Sequence, residues 1–229
     1  MTFCTIRSVT PLNDYIFRVK VTADRDINFL PGQNLKITME DGISRYFSIA
    51  SSVQDDNNFE LHIASSSSKD SIINNLLRMH RFEVQIPLGK AWFRCDSQRP
   101  VILIAFGSGF SYIRSIFLSC LSTHREQPVF LYWIARDEQS FYEIDMINKI
   151  AKKNPIITFT KIIEKRMKTS VQEYNKTNKI LSDRHPDMSM FDIYIAGRNE
   201  TVKALIDRLH ANNKAKKSRI FSDSFSSSE

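Results

Sequence analysis

Val101-Ile-Leu-Ile-Ala-Phe106 is an unbroken apolar run that ends in Gly107-Ser108-Gly109, and a helical pattern begins at Ser111. A strand exposed on one face alternates apolar and polar residues. A run with no alternation fits a strand covered on both faces, as in a parallel sheet with helices above and below. After the turn, Tyr112, Ile113, Ile116, Phe117, Cys120 and Leu121 recur at helical spacing and share one face. Downstream the alternation of elements repeats. Val129–Ile134 reads as a buried strand, Tyr142–Lys153 as a helix and Ile156–Ile162 as a strand. Thr169–Leu181 follows as a helix, Asp192–Ala196 as a strand, Glu200–Ala211 as a helix, and Ile220-Phe221-Ser222 as a last strand. Strands alternating with helices predict a parallel α/β sheet.

Upstream of Val101 the pattern is different. Thr5–Val9, Tyr15–Val21, Asn34–Met39, Arg45–Ala50, Phe59–Ile63 and Phe82–Ile86 read as short strands, and Ser71–Met79 as one helix. Turn-forming residues separate them at Pro11-Leu-Asn-Asp14, Pro31-Gly32, Asp41-Gly42, Asp55-Asp-Asn-Asn58 and Pro87-Leu-Gly89. Short antiparallel strands at this spacing predict a closed or nearly closed barrel. The character switches at Asp96-Ser-Gln-Arg-Pro100, which divides the chain into an antiparallel β-barrel domain over 1–97 and a parallel-sheet α/β domain over 98–229.

Composition narrows the function classes. Hydrophobic residues make up 42% of the 229 residues, enough to bury a core in each half. The net charge of +7 has no recognisable nucleic-acid motif beside it, and no nucleic-acid partner is expected. The basic runs at Lys161–Lys168 and Lys214–Arg219 read first as solvated surface and second as anion sites. No apolar stretch approaches the ~18 residues of a membrane span, and the start of the chain is not leader-like, so a cytoplasmic protein with no membrane partner is expected. Cys4, Cys95 and Cys120 lack the spacing of a zinc or iron–sulfur site, and no metal is expected.

Three constellations carry candidate chemistry. In Arg45-Tyr46-Phe47-Ser48-Ile49-Ala50-Ser51, strand alternation places Arg45, Phe47 and Ile49 on one side and Tyr46, Ser48 and Ala50 on the other. A hydroxyl beside an aromatic can hold a flat polar ring, although an ordinary barrel strand reads the same way. The second is the Gly107-Ser108-Gly109 turn. Glycines admit a phosphate close to the backbone, and a helix N-terminus offers free N–H groups and positive potential. A tight turn without a ligand has the same sequence. The third is Tyr194-Ile-Ala-Gly197-Arg198, which, like Arg136, follows a strand end where ligands gather in open parallel sheets. For Arg136 and Arg198 a solvated loop cation is the plain alternative.

Together these residues resemble the ferredoxin–NADP reductase superfamily, and most closely its bacterial NAD(P)H–flavin reductase branch, which includes the reductase encoded with luminous-bacterial luciferase. The branch's R-P-F-S appears here as Arg45-Tyr46-Phe47-Ser48. Its E-L-H-I motif is Glu60–Ile63, its G-x-A-W-L-R is Gly89–Arg94, and its G-G-T-G-F-S-Y-x-R-S-I is Phe106–Ile116. D-I-Y-I-A-G-R stands at Asp192–Arg198 and a D-A-F segment at Asp223-Ser224-Phe225. The chain departs from the branch at Phe106, in place of the first loop glycine, and at Ser108, in place of threonine. It departs again at Ile134-Ala135, where two glycines are usual. Ala196 takes the place of a cysteine found in larger members.

The resemblance implies hydride transfer from NADH or NADPH to FMN or riboflavin, with FAD a further possibility. Flavin would be an exchangeable substrate, and reduced flavin would be handed to other enzymes such as a monooxygenase met transiently. It implies Ser48 and Ser111 as the catalytic pair. Arg45, Tyr46, Phe47, Ser48, Ile63 and Ala64 would surround the flavin. Ser111 would stand near the flavin's reactive edge, Gly107, Ser108, Gly109 and Arg136 would meet the nicotinamide dinucleotide, and Phe110, Gly197 and Phe225 complete the expected cofactor-binding residues. Two other readings stay open: a tight flavoprotein serving a protein acceptor, and a flavin carrier whose nicotinamide site Phe106 and Ile134 have closed.

Overall fold

Residues 2–52, 57–65, 71–123, 125–164 and 175–223 are described by a computed structural model. Phe225, Ser224, the Lys165–Lys168 cluster and the first residues of the expected Thr169–Leu181 helix lie outside the described residues.

The described residues gather into two units. The first runs to Arg94 and also takes in Ser111–Thr123; the second holds Cys95–Phe110 and the described residues from Arg125 onward. In the first unit β1 (Thr2–Pro11), β2 (Ile16–Ala23), β3 (Asn34–Thr38), β4 (Ser44–Ser48), β5 (Asn58–Ala64) and β6 (Arg81–Leu88) form one antiparallel sheet, and helix α1 (Ile72–Met79) precedes β6. The strand order is β4-β3-β6-β1-β2-β5. Its two edges meet, because Ile49 bridges Leu61 and the Ala50 N–H donates to the Glu60 carbonyl at 2.7 Å. That single bridge brings the two edges together at one point, so the sheet is the nearly closed barrel expected. Val19, Val21, Leu35, Ile37, Leu61 and Ile63 fill it, none more than 1% exposed. Ser71 caps α1 by accepting from the Asn74 N–H.

Helix α2 (Phe110–Ser122) contributes residues 111–122 to this first unit. Tyr112, Ile113, Ile116, Phe117 and Cys120 are buried, as the helical spacing predicts. Ser111, Arg114, Ser115 and Ser119 are buried too, so this helix is covered on its polar side as well.

The second unit is a parallel sheet of β7 (Val101–Phe106), β8 (Val129–Ala135), β9 (Ile157–Ile163), β10 (Asp192–Ala196) and β11 (Ile220–Ser222), with helices α3 (Ile144–Lys153), α4 (Asn175–Arg184) and α5 (Asn199–Asn213). The order is β11-β10-β7-β8-β9. All six residues of central β7 are buried. The chain steps from β7 to β8 on one side and later returns to β10 on the other. That reversal opens a crevice at the carboxyl ends of β7 and β10, the usual place for a ligand in such a sheet. Of the expected basic runs, Lys161 pairs with Glu138, Lys214 with Asp187, Lys217 with Asp207 and Arg219 with Asp192. Among the described residues no helix is long and apolar enough to cross a membrane.

Candidate functional site

In the barrel unit, the strand with the expected ring-binding residues is pinned by its register. Leu35 pairs with Phe47 and Asn34 with Ser48. Phe47 packs on the barrel core and Ile49 is fully buried, so Tyr46 and Ser48 face outward. Tyr46 is 51% exposed, an uncovered aromatic ring one step from a hydroxyl on the same face. Arg45 turns instead to the hairpin, where Nη2 meets Asp41 at 3.0 Å. That hydrogen bond first, then the Ile43 N–H, holds the Asp41 carboxyl below its ordinary range. Ile63 points into the core at 1% exposure, and Ala64 stands exposed at the end of β5. From the Ile49–Leu61 bridge the antiparallel direction carries β5 back alongside Ser48 and Phe47.

The chain from Ser48 to Ser51 leaves β3 and crosses to β5, and its carbonyls lie within reach of α2. Side chains of α2 meet them. The Ser111 hydroxyl donates to the Ser48 carbonyl at 3.3 Å, Arg114 Nη1 to Ala50 at 2.8 Å and the Ser115 hydroxyl to Ser51 at 2.6 Å. Tyr112 donates its hydroxyl to the Ala91 carbonyl at 2.6 Å. Ser48 and Ser111, the expected catalytic pair, are thus brought together in one unit. Buried carbonyls need partners, and this explains why serines and an arginine lie on a covered helix face.

Arg114 also meets Glu60 at 3.3 Å, and Arg18 and His62 approach the same carboxylate oxygen at 3.8 and 4.0 Å. Burial first, then the charges of Arg114 and Arg18, pushes the His62 imidazole down to about 2, so it is neutral at ordinary pH.

In the second unit, Gly107–Gly109 forms a single 3-10 turn at the head of α2. Gly107 has φ +54 and nothing within 4 Å of where its Cβ would stand, so its outer side is open. Ser108 is exposed. Gly109 is pressed on the end of β10: a Cβ there would lie 2.6 Å from the Ala196 carbonyl carbon and 2.9 Å from the Gly197 nitrogen. Turn and strand end therefore abut, and the Gly107–Gly109 turn is brought beside Gly197. Arg136 lies exposed at the neighbouring strand end and pairs with Asp137 at 3.0 Å. Hydrogen bonds from Ser140 first, with the Arg136 charge behind them, keep Asp137 below the usual carboxylate range.

Phe106 and Ile134 do not cover this turn. Phe106 is 8% exposed and Ile134 is 1% exposed, both in the core under the sheet. Phe106 packs beneath Gly197, where a Cβ would come within 2.8 Å of its own Cβ. Phe110 is fully buried and stacks on Trp133 with ring centres 3.8 Å apart. It therefore supports the turn from below. Trp133 was not singled out by its sequence. Its Nε1–H donates to the Gly107 carbonyl at 3.1 Å, so it braces the turn. The available signal was a donor-bearing ring in the buried run Val129–Ala135, which requires a partner.

Residues 103–207 match the oxidoreductase NAD-binding domain. Over 230 aligned residues the chain is 34% identical to an NAD(P)H-flavin reductase of Aliivibrio fischeri, covering 97% of each chain. It is 31% identical to an NAD(P)H-flavin reductase of Vibrio harveyi, again over 97% of each. Among solved structures it superposes on a cytochrome P450 reductase of Amycolatopsis with TM-score 0.84 at 19% identity, covering 98% of this chain and 70% of that one. It matches a ferredoxin-NADP+ reductase of Plasmodium falciparum with TM-score 0.79 at 14% identity, covering 97% and 95%. At those identities the structures speak for the fold alone.

Proposed function

The chain belongs to the NAD(P)H-flavin reductase family, and from that premise we propose that it transfers a hydride from NADH or NADPH to a flavin taken up as a diffusible substrate. The nicotinamide supplies the hydride and the flavin accepts it; that chemistry belongs to the two small molecules. The protein's part is to bind, orient and dry the two rings. Tyr46 lies against the flavin ring, and the Ser48 hydroxyl donates to a ring nitrogen. Ser111 holds the backbone of Ser48, and Phe47, Ile63 and Ala64 shape the seat. Gly107, Ser108 and Gly109 admit the dinucleotide, with Arg136 and Gly197 at the neighbouring strand ends. FMN and riboflavin are the expected flavins. The reduced product leaves to serve another enzyme, such as a monooxygenase met transiently. Three free cysteines suit a reducing cytoplasm.

The observation that carries this reading is the outward pair of Tyr46 and Ser48, with the Ser48 carbonyl held by Ser111. Steady-state oxidation of NADH and NADPH with riboflavin, FMN and FAD tests it, together with dialysis of flavin-loaded protein. Turnover with free flavin and loss of the yellow colour on dialysis are expected. Retained colour without turnover on free flavin would overturn the substrate role.

A further inference from the structure

Arg114 lies on the covered face of α2, 7% exposed, and touches two things at once. Its Nη1 donates to the Ala50 carbonyl at 2.8 Å and stands 3.3 Å from Glu60 Oε2. Glu60 is itself tied to the same crossing segment, since its N–H donates to the Ser51 hydroxyl at 3.1 Å and its carbonyl accepts from Ala50. Ser48, at the head of that segment, is the last residue of β4. Beyond it the backbone is held by the Ile49 N–H bond to Gln33 at 3.1 Å, by the Glu60 carbonyl and by the three α2 side chains. Of those three contacts, two are neutral hydroxyl bonds. The guanidinium bond is charge-assisted and therefore the strongest.

We propose that Arg114 is a positioning residue for flavin reduction: with Glu60 it locks the 48–51 crossing to α2 and so fixes where the Ser48 hydroxyl meets the flavin ring. The inference rests on the proposed flavin seat at Ser48. Two features favour positioning over plain support of the fold. Arg114 reaches the connector itself, at the Ala50 carbonyl, while Glu60 on β5 meets the guanidinium from the other side. The other groups at the carboxylate, Arg18 at 3.8 Å and neutral His62 at 4.0 Å, stand farther off than Arg114. Removing Arg114 leaves Ser48 paired with Asn34 but takes the charged donor from the Ala50 carbonyl, so the segment just after Ser48 loses its strongest tie to α2 and the Ser48 hydroxyl loses its fixed placement.

A double-mutant cycle tests the link, because residues that act through one another give non-additive effects. R114M, S48A and the double variant are compared with the parent for riboflavin Kd, read by flavin fluorescence, and for KM of riboflavin and of NADH. Melting followed by circular dichroism sets a temperature at which every variant is folded. R114M is expected to weaken riboflavin binding about three- to tenfold while the NADH KM stays within about twofold. In the S48A background the same change is expected to have less than about a twofold effect on riboflavin. R114K, which keeps the charge, is expected to restore most of the affinity. E60Q runs through the same cycle, so that a poorly folding R114M does not decide the matter. Equal losses in both backgrounds, or an NADH KM that moves as far as the riboflavin Kd, would overturn the proposal. A parent that binds riboflavin without turning it over would count against the proposed reaction and leave the binding cycle decisive. A parent that binds no riboflavin would overturn both.

Discussion

Alanine at Gly109 tests how the nucleotide turn is built. An added Cβ would stand 2.6 Å from the Ala196 carbonyl carbon, 2.7 Å from its oxygen and 2.9 Å from the Gly197 nitrogen. Carbon contacts settle near 3.5–4.0 Å, so the turn must back away from β10 by about 1 Å. All three atoms are backbone, which cannot swing aside as a side chain does. Overpacking of this kind costs about 1–3 kcal/mol. Loss of glycine's freedom in the unfolded chain offsets about 0.4–1 kcal/mol of that. A net loss of about 1–2 kcal/mol lowers the melting midpoint by roughly 2–8 °C in a chain of this size. If the proposed dinucleotide seat is at this turn, its displacement is expected to raise the NADH KM with little change in riboflavin affinity. Gly107→Ala is the matched comparison. Its methyl enters open space, and the cost is the left-handed backbone at φ +54, about 1–2 kcal/mol. Its methyl would stand in the open space proposed for the dinucleotide phosphate, so its NADH KM is expected to rise although no protein atom is crowded. Thermal melting and steady-state kinetics read both variants. A Gly109→Ala protein with the parent's melting midpoint and NADH KM would refute the close approach of turn and strand.

Other outcomes follow from the same geometry. Phe106→Gly, which restores the glycine usual in the family, is expected to destabilise the protein by about 3–5 kcal/mol by emptying a core position, with no gain in NADH affinity; improved NADH turnover would contradict the buried placement of the ring. His62 is pushed down to about 2 and, mainly by burial with the Arg184 charge behind it, His185 to about 4, against 6.5 when unfolded. The unfolded chain then binds more protons below pH 6.5, so stability is present above that value and is lost as pH falls. Each histidine adds a slope approaching about 1.4 kcal/mol per pH unit within its window. Urea unfolding at a series of pH values reads this slope, and an H62Q variant with the parent's slope would contradict it. Cys95 is exposed, Cys4 and Cys120 are buried, and burial, with Asp24 behind it, pushes the Cys4 thiol up to about 12. A thiol reagent is expected to label one cysteine quickly in the native protein and the others only on unfolding; three equal rates would contradict this.

The elements that were legible in the sequence are those whose pattern follows from burial. Val101–Phe106, Asp192–Ala196 and Ile220–Ser222 fall on the residues expected; for Val101–Phe106 the unbroken apolar run matches a strand buried along its whole length. Helix α3 starts at Ile144 rather than at Tyr142, whose ring packs edge-on against Trp133 and Phe110. The outward placement of Tyr46 and Ser48 was legible from strand alternation. The engagement of Arg45 by Asp41 was not, since it depends on the hairpin's turn. Phe106 looked like an obstacle because a sequence position next to a glycine turn says nothing about which way its side chain faces. Its register opposite Ile134, beside Ala105 paired with Ala196, turns it into the core. Least legible was the polar face of α2. The burial of Arg114 and Ser115 follows from their bonds to the Ala50 and Ser51 carbonyls of the crossing, which sequence spacing does not show.

The central claim is the seat of the flavin on the outer face of β4. A crystal structure of the protein with riboflavin tests it most directly. The expected result is the isoalloxazine ring against Tyr46, with the Ser48 hydroxyl within hydrogen-bonding distance of a ring nitrogen. A ring bound elsewhere, or a Ser48 hydroxyl turned into the barrel core, would contradict it.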